Sequence, residues 1–427
     1  MESNLFAYLT IAAAVISFVI GTVYNINIGL LCVITGFIAS IICGGTGGEL
    51  VGALSSSNII LLLGVMFMFT IANKNGTMEK LCLKLLKLAK GKKAFMPFAF
   101  AITGAIVCGV GAGGGSTSAL LAAPSAAMSK KTGLKPMLMA TTTLHGIFAG
   151  QFTPVSSAAI PILGFLAANG LGHVGGKLLV WNIVIEFCAV ILCYFIFGGK
   201  ELFKKGEEAV YQIDDSADST FKLNNWVSIL CIAALVCAIL FTDLNVGLTA
   251  FTLGVIMILV DVKNGLRDIQ IIKAIPWQSL VMLIGAMTLL TVMEQAGGTA
   301  LIVQGIQSLN LGIFGLLLVI AASGLISFYA TSVPVILALL PLAIQLCTEM
   351  GMTDAIPGMC VAICIAGTIV DVSPVSNSGA LFLASANADI EDEATQRKLF
   401  RAQFGYGFAQ IAVSAIVCWL LFVVLGL

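Results

Sequence analysis

Apolar runs of about 20 residues, the length at which a helix crosses the hydrocarbon layer of a bilayer, recur along the chain from Leu5 to Leu427. The pattern predicts an all-α polytopic membrane protein in which only 200–222 is polar enough to be an ordinary aqueous linker. The first run follows Met1-Glu2-Ser3-Asn4 with neither a basic leader nor a small-residue cleavage site, so it is expected to be a retained span. Two polar tracts interrupt the apolar pattern, Thr153-Pro154-Val155-Ser156-Ser157 and Ser373-Pro374-Val375-Ser376-Asn377-Ser378, at an offset of 220 residues (373 − 153). Proline removes an amide donor and breaks the helical ladder. Such breaks are tolerated at membrane depth only where the backbone lines a cavity or is buried in protein, which points to a transporter.

The duplication extends beyond these tracts. Asn27-Ile28-Gly29-Leu30 returns as Asn245-Val246-Gly247-Leu248, and Gly36 as Gly254. Leu63-Gly64-Val65-Met66, Thr70 and Gly76 return as Ile284-Gly285-Ala286-Met287, Thr291 and Gly297. Gly115-Ser116-Thr117 lies beside Ala330-Thr331-Ser332 in the same series. Apolar segments align readily with one another, but an ordered series with Pro, Thr and Gly in corresponding places indicates an internal repeat. The expected division is a first repeat over 1–199, a cytoplasmic linker over 200–225 and a second repeat over 226–427.

Charge supplies an orientation. With each half taken as three spans, a surface helix, a re-entrant hairpin, a broken helix and a final span, 74–93, 130–135, 200–222, 263–273 and 397–401 fall on one side. Of the 21 Lys and Arg, only Lys177 lies on the other. The positive-inside rule then places the basic loops in the cytoplasm and both termini outside. The two halves become inverted-topology repeats, an arrangement found in secondary transporters. The surface helix of the first half falls over 77–93, where Leu81, Leu85 and Leu88 alternate with Lys80, Lys84 and Lys87 and predict a basic amphipathic helix at the interface.

Composition closes off other classes. With 59% hydrophobic and 10% charged residues and a mean hydropathy of +1.07, the chain cannot present the mixed surface of a soluble globule. A net charge of +0 gives nucleic-acid binding no electrostatic support. The cysteines sit mostly inside apolar segments and are read as packing residues; Cys360 and Cys364 share a helix face, with no third ligand at metal-site spacing. Gly109-Val110-Gly111-Ala112-Gly113-Gly114 satisfies a dinucleotide fingerprint only formally, because no βαβ context surrounds it. No zinc-protease, nucleophile-elbow or phosphate-loop motif occurs, and no enzymatic activity or cofactor is expected.

Candidate chemistry lies at the hairpin tips and the breaks. The tips are 111–118, with Gly115, Ser116, Thr117 and Ser118, and 328–332, with Ala330, Thr331 and Ser332. Glycine lets backbone approach a ligand, and hydroxyls at the N-terminus of a returning half-helix favour an anion. Opposite them, Thr153, Pro154, Ser156, Ser373, Pro374, Ser376, Asn377 and Ser378 offer hydroxyl and amide groups, and carbonyls freed by the breaks suit a small cation such as sodium. Close helix packing accounts for Gly, Ser and Thr in a single tract, but their presence in both halves favours binding. Asp371 is the preferred coupling residue, as a sodium ligand or proton carrier, with Gln151 in the equivalent place of the first half. Glu186 and His145 also fall inside spans, where satisfied interior residues account for them equally well.

These motifs resemble the ion transporter superfamily, which includes divalent-anion/sodium symporters and the large membrane subunits of tripartite carriers. The run 371–381 is most similar to the malonate and C4-dicarboxylate carrier family. The resemblance implies an elevator mechanism, in which a transport domain slides against a scaffold that often dimerises in the inner membrane. It further implies symport of a small dicarboxylate with sodium bound at the hairpin tips. Where related symporters carry Ser-Asn-Thr at the tips, this chain has Ser116-Thr117-Ser118 and Ala330-Thr331-Ser332. A subunit of a binding-protein-dependent carrier and a passive anion channel are the alternatives.

Overall fold

The computed structural model describes residues 2–24, 26–53, 56–88, 91–203, 210–211, 220–242, 244–275, 277–308, 311–329, 332–388 and 390–427. Within them the regular structure is helical apart from a two-residue antiparallel pairing of Gly91–Lys92 with Val210–Tyr211. The helices fall into two series of ten. The first is α1 (Glu2–Tyr24), α2 (Ile28–Ile42), α3 (Gly48–Ala53), α4 (Ser56–Lys74), α5 (Thr77–Leu88), α6 (Met96–Val107), α7 (Gly114–Thr132), α8 (Pro136–Ala149), α9 (Ala159–Ala168) and α10 (Val174–Ile196). The second, in the same order of lengths, is α11 (Leu223–Phe241), α12 (Val246–Asp261), α13 (Asp268–Ala274), α14 (Trp277–Gln295), α15 (Gly298–Ser308), α16 (Phe314–Tyr329), α17 (Ser332–Glu349), α18 (Ile356–Ile369), α19 (Asn377–Asn387) and α20 (Glu393–Cys418).

The duplicated residues do the same local work in each series. Asn27 caps α2 by accepting from Gly29 N at 2.8 Å, and Asn245 caps α12 by accepting from Leu248 N at 3.0 Å. Gly76 and Gly297 end α4 and α14 with φ of 75° and 73°, a left-handed conformation that a side chain disfavours. α7 and α17 each carry an internal proline, Pro124 and Pro341.

Two compact units are present, and each takes segments from both halves. One comprises Met1–Ile60, Pro276–Thr368 and Ile411–Leu427, the other Leu61–Ile275 and Ile369–Gln410. In the first unit α2 packs on α14 so closely that a Cβ on Gly285 would overlap the backbone of Gly29, and one on Gly36 would press on Thr288. In the second, the roles are exchanged: Gly64 meets the backbone of Gly247, and Gly254 meets the ring of Phe67. Small residues at a helix crossing allow this backbone approach in membrane proteins.

Among the described residues six helical stretches are long and apolar enough to cross a membrane, namely Lys93–Ala112, Val174–Ile196, Val246–Asn264, Ser332–Glu349, Thr353–Asn387 and Glu393–Val424, with shorter apolar helices beside them. α10 shows the inside-out distribution expected in lipid. Val180, Leu192 and Ile196 are exposed, while Asn182 and Glu186 are fully buried.

α5 forms where the amphipathic pattern places it, but its buried stripe is Met78 and Cys82, with Leu81 and Leu85 only half-buried. Two of its lysines have specific partners. Lys80 Nζ donates to Thr220 O at 2.9 Å and Asn225 Oδ1 at 3.2 Å, and Lys84 sits 3.8 Å over the Phe221 ring. α5 therefore anchors the end of the linker, a task that the lysine spacing alone does not reveal. The turn before it is held by Asn75, whose Nδ2 donates to Ser228 Oγ and Asp261 Oδ2, both at 2.8 Å.

Candidate functional site

The first tip is built by glycine. α6 runs into a π-turn over Cys108–Ala112, and the chain reverses through Gly111 (φ 111°) and Gly113 (φ 74°, ψ 158°) before α7 begins. A Cβ on Gly111 would collide with the Phe69 ring and one on Gly113 with Ser157, so both absence of a side chain and positive φ are required here. α7 starts with no side-chain cap. Gly115 and Ser116 are exposed on its first turn, leaving first-turn N–H groups at the helix's positive end. Thr117 is buried and donates to Gly113 O at 2.8 Å, while the buried Ser118 hydroxyl has no hydrogen-bond partner.

α6 and α8 meet backbone to backbone, because a Cβ on Gly146 would run into Ala101 and one on Gly150 into Ala105 and Gly109. That closeness carries the first break to the tip. Past α8, residues 151–158 are irregular, and Thr153 Oγ1 donates to Gly109 O at 2.6 Å. Gln151 is buried with its Oε1 beside Gly114, and Ser156 is buried with no hydrogen-bond partner for its hydroxyl. Pro154 is exposed. Asn182 of α10 donates to Phe148 O at 2.9 Å and Ala149 O at 3.3 Å, holding the last turn of α8 before it unwinds.

The second break lies in the same unit, and α19, which follows it, packs on α7. α18 tightens into a 3-10 turn over Val370–Val372 that buries Asp371. Ser373 and Pro374 are buried, and Ser376 caps α19, accepting from Gly379 N at 3.1 Å while its hydroxyl approaches Asp371 O at 2.5 Å and Ser373 O at 2.8 Å. Asn377 is exposed on the first turn of α19, and Ser378 is buried beside it. The carbonyls of Asp371 and Ser373 thus each have a protein donor. Gln403 of α20 adds to this by donating to Val372 O at 2.8 Å and Gly379 O at 3.1 Å.

The second tip is in the other unit. Ser332 is buried at the start of α17, and Ala330 and Thr331 lie outside the described residues. Behind Ser332, α16 donates from Ser323 to Ile363 O of α18 at 3.0 Å, and the buried hydroxyls of Ser327 and Thr368 have no hydrogen-bond partner.

Sequence reasoning did not single out Asn182, Gln403, Tyr406 or Gln410. A signal was present: Gln403, Tyr406 and Gln410 recur at helical spacing on the stretch of α20 after Arg401 that carries no charge, as Asn182 and Glu186 do on α10.

An apolar helical chain whose buried hydroxyls, amides and helix starts gather at two backbone breaks has the make-up of a multi-pass membrane transporter. It belongs to the citrate transporter family, CitMHS, part of the ion transporter superfamily, whose model matches residues 4–366, and it is not an enzyme. The superfamily resemblance drawn from the polar tracts is thereby met. Among solved structures the chain is similar to the Alcanivorax borkumensis YdaH transporter, described as having an unusual topology. That similarity has a TM-score of 0.57 at 16% identity over 88% of each chain, and it concerns the fold alone. A search of curated proteins found no match.

Proposed function

We propose that this protein is a secondary symporter of citrate or a related small di- or tricarboxylate, such as malonate or a C4-dicarboxylate, coupled to sodium or protons. The observation that carries the proposal is the gathering, in one compact unit, of the first tip and both breaks with no cationic side chain among them. No Lys or Arg occurs over 94–129, over 136–176 or over 274–396. A polycarboxylate held there is neutralised by N–H groups at the starts of α7 and α19, by Ser116 and Asn377, and by cations that travel with it. Asp371 remains the candidate ligand for a sodium ion or proton at the second break, and Ser332, with the neighbouring Ala330 and Thr331, supplies the second tip.

The halves work as inverted-topology repeats of an elevator-type carrier, a homodimer in the inner membrane with both termini outside. The ten-and-ten helix order and the exchanged glycine contacts support this reading, since Gly29 meets Gly285 as Gly247 meets Gly64. The site is tested by substrate counterflow in proteoliposomes with radiolabelled citrate, malonate, succinate and malate. Asn377→Ala and Thr331→Ala are expected to lower counterflow at least about tenfold, the effect of losing roughly 1.4 kcal/mol of binding, at unchanged expression. Wild-type rates in both variants would remove the tips and breaks from the substrate path.

A further inference from the structure

We propose that the buried His145–Glu186 pair, not a residue of the substrate site, is the seat of a transported proton. This rests on the reading of the chain as a cation-coupled carrier. His145 and Glu186 are both fully buried, and His145 Nδ1 lies 2.7 Å from Glu186 Oε2. On the other side of the ring Nε2 lies 2.8 Å from the Tyr406 hydroxyl, to which Gln410 Nε2 donates at 2.5 Å and Cys193 Sγ at 2.9 Å. An amide nitrogen can only donate. The tyrosine therefore accepts from Gln410 and Cys193 and gives its own proton to Nε2, which leaves Nδ1–H to point at the carboxylate. In that state the cluster carries one negative charge inside an apolar bundle.

The carboxylate's other oxygen has nothing to hold it. Glu186 Oε1 is buried without a hydrogen-bond partner, and an unpaired anionic oxygen in a low-dielectric interior is costly. One proton taken up from the aqueous side onto Oε1 changes the cluster from net −1 to neutral and leaves the His145, Tyr406 and Gln410 hydrogen bonds in place. Its release on the opposite side restores the starting state. Net charge at membrane depth is what a carrier must minimise as it changes state.

The pair is also wired to the substrate site. His145 is four residues before the end of α8 at Ala149, about 6 Å at the rise of a helix, and Asn182, one turn before Glu186, holds the Phe148 and Ala149 carbonyls where α8 unwinds. A change in the His145–Glu186 contact thus acts on the α8–α10 crossing that positions the first break. Other charged or titratable groups on the elements packed against α8 and α10 are Cys108, Lys130, Lys131, Asp371, Lys200 and Glu201, with Lys177, Cys188 and Tyr194 on α10 itself; α6, α9 and α19 carry none. Tyr406 shares α20 with Glu393, Arg397, Lys398 and Arg401, which lie at its start.

Two measurements decide the matter. The chain has 2 histidines, and His173 is exposed at the start of α10, so H173Q leaves His145 as the single imidazole in a 15N-histidine NMR spectrum. Between about pH 5 and about pH 9, a window that brackets ordinary histidine, the His145 signal is expected to report proton uptake by the cluster, and E186Q is expected to displace that response. An imidazole unresponsive to pH, with and without added citrate, would overturn the proposal, and this needs no transport, so it is independent of the carrier reading. In proteoliposomes, accumulation by wild type under an imposed pH gradient is expected to approach about tenfold per pH unit for one coupled proton. E186Q is expected to fall to simple equilibration while exchange of substrate for substrate, which moves no net proton, persists. Wild-type accumulation by E186Q would also overturn it.

Discussion

Gln403 donates to Val372 O at 2.8 Å, at the second break, and to Gly379 O at 3.1 Å, in the first turn of α19. Both bonds are buried, and a buried acceptor left without a donor costs about 1–3 kcal/mol. Gln403→Leu is therefore expected to lower the thermal unfolding midpoint of the purified protein and to weaken transport with it, because α19 loses its tether. An unchanged midpoint would show that the break holds itself. Ser373-Pro374 was legible as a break because proline declares itself. Gln403 was not, since it acts from about thirty residues away and only geometry shows what it reaches. His145 and Glu186 illustrate the same limit. Their type and their place inside spans could be read, but a ligand, a proton pair and a satisfied interior contact look alike until the 2.7 Å separation is known.

At the level of elements, the duplicated glycines are crossing points. A Cβ on Gly64 or Gly285 meets backbone of the facing helix, which cannot move aside as a flexible side chain can. Gly64→Ala and Gly285→Ala are each expected to cost about 1–3 kcal/mol through overpacking, measured as loss of monodisperse protein after graded heating. Gly305→Ala, in α15 with open space around its Cβ, is expected to be neutral or to gain up to about 1 kcal/mol from helix propensity. Equal tolerance at all three positions would contradict a close crossing. The offsets in the sequence established that two halves resemble each other, but likeness does not imply contact. That Gly29 meets Gly285 and not its own counterpart Gly247 required coordinates. α5 differs in another way, because Leu and Lys alternation located the helix but not the partners of its lysines, whose long apolar stems also pack when their head groups find partners.

For the whole molecule, hydropathy was sufficient for the class, since so apolar a chain has no soluble solution, and the match over 4–366 places it in the citrate transporter family. The substrate path is harder to read from residues because it is made of backbone ends and hydroxyls, groups that every membrane helix possesses. Coupling is a property of the complete chain. It is tested most directly by reconstituting the purified protein alone and following radiolabelled citrate and dicarboxylates under imposed sodium or proton gradients. A saturable accumulation above the external concentration, abolished when the gradient is collapsed, is the expected result. Flux that only equilibrates, ignores both gradients and fails to saturate, or that appears only when other subunits are added, would contradict a self-sufficient symporter.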